Sequence, residues 1–356
     1  LDDSFANDIA EATRQPPTGE ATRSYAYSLR AFFLGVGVVA AAMFFAAWPW
    51  AIHGRAWFMD PEWSMWKAKE QIIDHCNSGD TIILGDSRSM AGLIPAMLGD
   101  NVTNLALGAS TSIENYYVAR RVLACPTPPK RALIAFLPID MTRTQMYWQR
   151  TALFGLLDFE QMEEVRKSSI RISDPLIYSA NPVGTVLDKL QNYSYHIGFP
   201  SYYFPAMMNA GFVGRKALNE REFENTLRDR GHHYFGTAAQ SNRIAEDAQV
   251  TAFAPSPLLN DYFERLLTAL RDSKTDVYFL TPPLNPATFA LVPQDVIADF
   301  KAYLNDVAAR HPNFHLLGDI VQSMPADHFG DEEHLNEKGA AAWTEIVRGL
   351  LAKAGT

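Results

Sequence analysis

The sequence predicts an α/β protein built on a doubly wound parallel sheet, preceded by one N-terminal transmembrane helix. Three observations predict it. From residue 80 onward, short apolar runs alternate with stretches of helical spacing. Each of the first three runs leads straight into Gly85, Gly108 or Asp140. Further upstream, residues 31–52 carry no charged side chain. Strands that alternate with helices pair in parallel and take helices on both faces. Right-handed crossovers then wind the sheet in both directions from its middle.

The elements follow in chain order. Residues 1–30 are polar, with Pro16, Pro17 and Gly19, and read as a mobile cytoplasmic tail with room for a short helix. Residues 31–52 (AFFLGVGVVAAAMFFAAWPWAI) form the transmembrane segment. A helix of that length reaches roughly 33 Å, enough to cross a bilayer core. Trp48 and Trp50 sit at one end, as an interfacial aromatic belt would. A buried core helix and a cleaved signal peptide are the alternatives; the second lacks a small-x-small cleavage site. Residues 53–79, with Trp57, Trp63 and Trp66, form a juxtamembrane linker and a helix over 61–75.

Residues 80–356 make the main domain. Strands are expected at 81–84, 102–107, 131–139, 277–280 and 314–317. Helices are expected at 113–123, 258–271, 294–310 and 339–354. Residues 141–257 break the alternation and are rich in aromatics, among them Tyr147, Trp148, Phe154, Tyr178, Tyr195, Tyr202 and Tyr203. They read as a partly helical insertion over the active-site edge. Its aromatics either line a sugar cleft or form the insertion's own core. Part of it, 199–213, is a second candidate for contact with the membrane or a membrane partner.

The composition narrows the partners. The chain has 356 residues, is 47% hydrophobic and carries a net charge of -9. That charge argues against nucleic acid, whose phosphates are bound by basic patches. Arg23 and Arg30 precede the apolar span and Arg55 follows it, a small bias toward a cytoplasmic N-terminus. Cys76 and Cys125 are the only cysteines, each a few residues ahead of a strand. If those strands are neighbours, the two thiols share one sheet edge. A Cys76–Cys125 disulfide is therefore expected, as suits an oxidising periplasm.

The chemistry centres on Gly85-Asp86-Ser87 and on Asp331-x-x-His334. A serine hydroxyl needs a base to become a nucleophile. A histidine base needs a carboxylate to fix its tautomer and stabilise the imidazolium. Asp331 reaches the Nδ1 side of His334 within one turn of chain, which leaves Nε2 for Ser87. Backbone N–H groups of Ser87 and Gly108 are the candidate oxyanion donors. Glycine at 108 lets the backbone approach a substrate closely. Ser87, Gly108 and Asp140 all follow strand ends, where such sheets bind their ligands.

These residues, in this order, resemble the SGNH (GDSL-like) hydrolase superfamily. Gly85-Asp86-Ser87 is similar to its first block and Gly108 to its second. Asp331-x-x-His334 with Leu335-Asn336-x-x-Gly339 is similar to its last. The resemblance implies a flavodoxin-like sheet and a triad of Ser87, His334 and Asp331, with Asp86 structural. The family's third block carries an asparagine that donates to the oxyanion. Leu137-Pro138-Ile139-Asp140 stands at that strand end instead. Arg88 and Asp140 are possible substrate contacts, Arg88 being equally a salt-bridge arginine. The anchor and the incomplete blocks look closer to membrane-anchored SGNH-like proteins that act with membrane-bound O-acyltransferases.

No cofactor is expected. Asp327, His328, Asp331 and His334 match no zinc spacing, and His232-His233 reads as a loop or partly buried pair. The first functional expectation is an inner-membrane O-acyltransferase with its catalytic domain in the periplasm. It would take an acyl group, most simply acetyl, from a polytopic membrane-bound O-acyltransferase and pass it to an extracytoplasmic polysaccharide. An esterase using the same residues is the second. A catalytically inactive accessory or scaffold subunit of a membrane polysaccharide complex is the third.

Overall fold

A computed structural model describes residues 19–54, 59–144, 146–179, 182–211 and 213–355. Residues 1–18 of the expected tail, and Trp57, lie outside the described residues. The chain divides into two compact units, Leu1–Gly54 and Arg55–Thr356.

In the first unit, helix α1 (Gly19–Gly54) contains the segment Tyr27–Pro49. Among the described residues it is the one helix long and apolar enough to cross a membrane. Among the described residues, 19–30 belong to this same helix, where the sequence left room for a short one. Once the apolar segment has met the cost of nucleation, each added residue gains a hydrogen bond. Residues 19–30 contain no proline to interrupt that growth.

The second unit holds a five-stranded parallel sheet in the order β2-β1-β3-β4-β5. Its strands are β1 (Thr81–Gly85), β2 (Val102–Asn104), β3 (Arg131–Ala135), β4 (Asp276–Leu280) and β5 (Phe314–Leu316). Ile83 sits beside Asn104 on one side and Leu133 on the other, and Leu133 beside Tyr278. Two strands are shorter than their apolar runs. Past β2, the Asn104 side chain takes the Ala106 N–H at 3.1 Å, while the N–H groups of Leu105 and Leu107 still donate to the β1 carbonyls of Ile83 and Gly85. Past β3, Pro138 has no N–H to offer a ladder and opens a 3-10 turn, Pro138–Met141.

The helices follow: α2 (Pro61–Asp74), α3 (Ser87–Gly92), α4 (Pro95–Leu98), α5 (Ser112–Leu123), α6 (Phe159–Arg171), α7 (Pro182–His196), α8 (Pro200–Ala210), α9 (Arg215–Arg228), α10 (Pro257–Asp272), α11 (Pro286–Phe289), α12 (Gln294–Arg310) and α13 (Glu337–Lys353). Both faces of the sheet are covered. On one face Ile83, Leu133, Tyr278 and Leu280 pack with Trp343 and Val347 of α13. On the other, Phe279 meets Phe263 of α10 and Phe300 of α12, centroids 6.1 and 6.3 Å apart. Strand side chains alternate between faces, so Phe279 and its neighbours Tyr278 and Leu280 divide between the two layers. Each large apolar side chain buried this way contributes about 1.5–3 kcal/mol.

Cys76 and Cys125 are joined in a disulfide, Cα atoms 5.6 Å apart. They follow α2 and α5 and precede β1 and β3, which are neighbours as expected. In the insertion, Tyr147, Phe154, Tyr178, Tyr195 and Tyr203 are buried. These five form part of a core for the insertion. Trp148, stacked on Tyr195 at 5.4 Å, is partly exposed. Helix α9 packs along α2, where Asn219 Nδ2 donates to the Met59 carbonyl at 2.8 Å.

Gly85 turns the chain from β1 into α3 with φ of +142°, and a Cβ there would collide with Ser89 Oγ and the Ala135 carbonyl. Gly349, exposed on α13, has no atom within 4 Å of such a Cβ. Gly85→Ala is expected to lower stability by about 2 kcal/mol or more. Gly349→Ala should raise it by about 0.5–1 kcal/mol. Thermal melts of both variants check the pair; equal shifts would contradict the strain at residue 85.

Candidate active site

Ser87 is the first residue of α3, a helix of six residues. So short a helix has little stability of its own. It is held by side chains. Asp86 Oδ1 caps it, accepting from the N–H groups of Arg88 at 3.0 Å and Ser89 at 3.3 Å. Asn104 Nδ2 donates to the carbonyls of Ser89 at 2.9 Å and Leu93 at 3.1 Å. Asn115 Oδ1 accepts the Gly85 N–H at 2.8 Å, and Ser110 Oγ donates to the Gly85 carbonyl at 2.7 Å. The strand end is thus fixed on both its polar groups.

Asp331 and His334 come from the loop before α13. Asp331 Oδ1 accepts the N–H groups of Glu333 at 2.8 Å and His334 at 2.6 Å. Its Oδ2 lies 2.8 Å from His334 Nδ1, and His334 Nε2 lies 2.9 Å from Ser87 Oγ. An ionised carboxylate only accepts, so Nδ1 carries the proton and Nε2 accepts from the serine. Burial pushes Asp331 up, but the His334 hydrogen bond, its charge and the two backbone donors hold it below the usual range. Phe235 packs its ring on the imidazole, centroids 4.7 Å apart. Asn336 caps α13, its Oδ1 accepting the Gly339 N–H at 2.9 Å. A Cβ on Gly339 would strike the His328 carbonyl. Asp327 pairs with His328 and Lys338 rather than with His334.

Arg88 lies beside this line with 6% of its side chain exposed. It faces four carboxylates: Asp247 at 2.7 Å, Asp86 at 3.3 Å, Glu333 at 3.5 Å and Asp140 at 3.7 Å. Burial alone would weaken its charge, yet the carboxylates together raise its pKa. Asp140 Oδ2 also accepts the Leu137 N–H at 2.7 Å. Burial raises Asp140, Asp247 and Glu333 above the ordinary carboxylate range, against the pull of Arg88. Arg88 and Asp140 both line the pocket, and each is committed to protein partners.

The pocket holds about 250 Å³ and is lined by Ser87, His334, Arg88, Asp140 and residues from other segments. Two of those, Glu62 of α2 and Arg150 of the insertion, form an ion pair at 2.6 Å. The pair lies directly against Gly108. A Cβ there would collide with Glu62 Oε2 and come within 2.9 Å of Arg150 Nη1. Glycine at 108 is therefore required by the pair, a reason different from substrate approach alone. The Gly108 N–H donates to no acceptor among the described residues. Burial pushes Glu62 up, with Arg150 opposing. The next residue, Ala109, also lines the pocket and has φ of +56°, a conformation that costs an alanine about 1–2 kcal/mol.

Glu62, Arg150, Asp247 and Phe235 carry no motif that marks them. Arg88 and Asp247 are 159 residues apart in sequence. One local signal existed: Asp60-Pro61-Glu62 is a helix start, Asp60 capping the Glu62 N–H at 3.0 Å. Two glycines join the insertion to the loop that carries Asp331. Gly236 and Gly330 meet backbone to backbone, and a Cβ on either would strike the other. His232 and His233 sit behind α3, His232 Nε2 donating to the Ala91 carbonyl at 3.0 Å and the His233 N–H to the Met90 carbonyl at 3.3 Å. A scan against protein-family models and a search of curated proteins found no match to this chain.

Arg88→Met is expected to destabilise the domain by about 3 kcal/mol or more at neutral pH, because it strands buried carboxylates. The deficit should be smaller at pH 5, because burial raises Asp140, Asp247 and Glu333 above the ordinary carboxylate range. Urea unfolding at both pH values reads this, and a deficit independent of pH would contradict it. Burial, with Lys69 nearby, pushes His232 and His233 down to about 4, against about 6.5 when unfolded. Between those values the unfolded chain binds more protons. Their contribution is complete above about pH 6.5 and is lost as pH falls toward 4. His232→Gln should lessen the acid loss by roughly 2 kcal/mol between pH 7.5 and 4.5; an unchanged acid loss would sink this account.

Proposed function

We propose that the chain is an SGNH-like serine O-acyltransferase of the inner membrane, with its N-terminus cytoplasmic and its α/β domain in the periplasm. It receives an acyl group, most simply acetyl, from a polytopic membrane-bound O-acyltransferase. It passes that group to a hydroxyl of an extracytoplasmic polysaccharide. The observation that carries the reading is the hydrogen-bonded line from Asp331 through His334 to Ser87, opening onto one pocket. The strand order, which is that of flavodoxin-like sheets, supports it. So do the apolar helix Tyr27–Pro49 and the disulfide, which suits an oxidising compartment.

In this reading His334 Nε2 takes the Ser87 proton as Oγ adds to the acyl carbonyl carbon. The carbonyl electrons move to its oxygen, which meets the free N–H groups of Ser87 and Gly108. Collapse expels the donor's leaving group, which takes the proton from His334, and leaves an ester on Ser87. A sugar hydroxyl then repeats the steps, giving its proton to His334 as it attacks the ester. Asp331 holds the imidazole in the required tautomer and offsets its transient charge. Arg143, Met146 and Arg150 of the insertion line the pocket and support the exclusion of water, which transfer requires.

A serine-directed fluorophosphonate should label Ser87 of the full chain in mild detergent. His334→Ala should slow labelling about 100-fold or more. A Ser87→Ala strain should lose the polymer's acyl groups. Unchanged polymer acylation in that strain would refute the transfer. Release of acetate from an aryl ester that an acceptor glycan does not divert would favour hydrolysis.

A further inference from the structure

We propose that Arg150 is the third donor of the oxyanion site, and that Glu62 is the positioning residue that holds it there. The inference rests on the acyl chemistry proposed for Ser87. Ser87 and Gly108 offer two backbone donors. The strand end that would hold a third, Leu137-Pro138-Ile139-Asp140, offers none. The Asp140 carboxylate accepts from its own turn at 2.7 Å and faces Arg88. Arg88 is already spent on four carboxylates.

Arg150 is differently placed. Its guanidinium lies against the backbone of Gly108, with Nη1 2.9 Å from the position a Cβ would occupy. Only the other terminal nitrogen, Nη2, is engaged by Glu62, at 2.6 Å. The side chain is 20% exposed and lines the same pocket as Ser87 and His334. A guanidinium presents several N–H donors in one rigid plane. Held by one edge, it keeps the rest for an oxygen bound at Gly108. When Ser87 Oγ adds to the acyl carbon and its proton passes to His334, the negative charge on the former carbonyl oxygen forms beside this cation.

Glu62 needs explanation, because a carboxylate near an oxyanion opposes it. Its Oε1 engages Arg150, while Oε2 is buried and has no hydrogen-bond partner. The side chain is 14% exposed and fixed at the start of α2. Burial raises Glu62, with Arg150 opposing. What Glu62 supplies is a carboxylate oxygen held in a fixed place beside Arg150.

Steady-state turnover of an aryl acetate by the full chain in detergent tests this, alongside inhibition by an arylboronic acid. Boron's adduct with Ser87 Oγ places an anionic oxygen where the oxyanion forms. Arg150→Ala should lower kcat about 100-fold with KM within about twofold, the usual cost of one lost oxyanion donor. Boronate affinity should fall in parallel with kcat. Arg150→Lys keeps the charge without the planar fork and should lose about 10-fold. Glu62→Gln keeps the acceptor and should stay within about threefold of the parent, whereas Glu62→Ala should fall at least 10-fold. An Arg150→Lys chain with parental kcat and boronate affinity overturns the assignment of Arg150, even if Arg150→Ala does not fold. Glu62→Gln falling as far as Glu62→Ala overturns the role of Glu62. A parent chain that neither reacts with fluorophosphonate nor turns over ester overturns the acyl chemistry as well. Failure of Arg150 alone leaves that chemistry standing.

Discussion

One buried guanidinium organises the site. Arg88 follows Ser87 in the chain, and its four carboxylates come from four different places. Asp86 caps the helix that carries the serine. Asp140 closes the turn after β3. Asp247 belongs to the end of the insertion, and Glu333 lies in the loop between Asp331 and His334. Desolvating that many charges is expensive, and one cation offsets only part of it, so burial raises Asp140, Asp247 and Glu333 above the ordinary carboxylate range. Distances among nucleophile, base and pocket wall therefore depend on a single side chain that need not touch a substrate.

The sheet explains why these parts can meet. In the order β2-β1-β3, the chain leaves β1 toward one edge and returns to β3 on the other side. The crevice beyond the strand ends opens at such a switch point. Ser87 follows β1, Gly108 follows β2 and Asp140 follows β3, so each arrives at that crevice from its own strand. Glu62 and Arg150 then approach it from α2 and from the insertion, outside the sheet. The Ser87–His334–Asp331 line thus comes from strand ends and the loop before α13, while Glu62, Arg150 and Asp247 come from α2 and the 141–257 segment.

Much of this was legible in the sequence, for physical reasons. Strands β1, β3 and β4 are short apolar runs that burial on both faces demands, and α12 spans the residues its spacing predicts. The Ser87, Asp331 and His334 geometry was readable because each sits at a fixed offset from a strand end or a helix start. The Cys76–Cys125 pairing followed from the adjacency of β1 and β3. Asp247, Arg150 and Asn104 were not readable, because their roles come from packing between distant segments and leave no period or motif. Gly108 was identified but for an incomplete reason, since the neighbours that demand glycine are invisible until α2 is folded against the site. Helix α1 extends beyond the apolar span because polarity marks the limit of a bilayer span, not of a helix.

The contact of Gly236 with Gly330 bears on how such a protein changes over time. One glycine lies in the second half of the insertion and the other opens the Asp331 loop, and neither tolerates a side chain while the other stays in place. The insertion is thus keyed to the histidine loop by an absence of atoms rather than by an attraction. A foreign insertion grafted between β3 and α10 would have to bring its own bare backbone to that crossing. A side chain at Gly236 would therefore be tolerated only if the backbone at Gly330 moved with it.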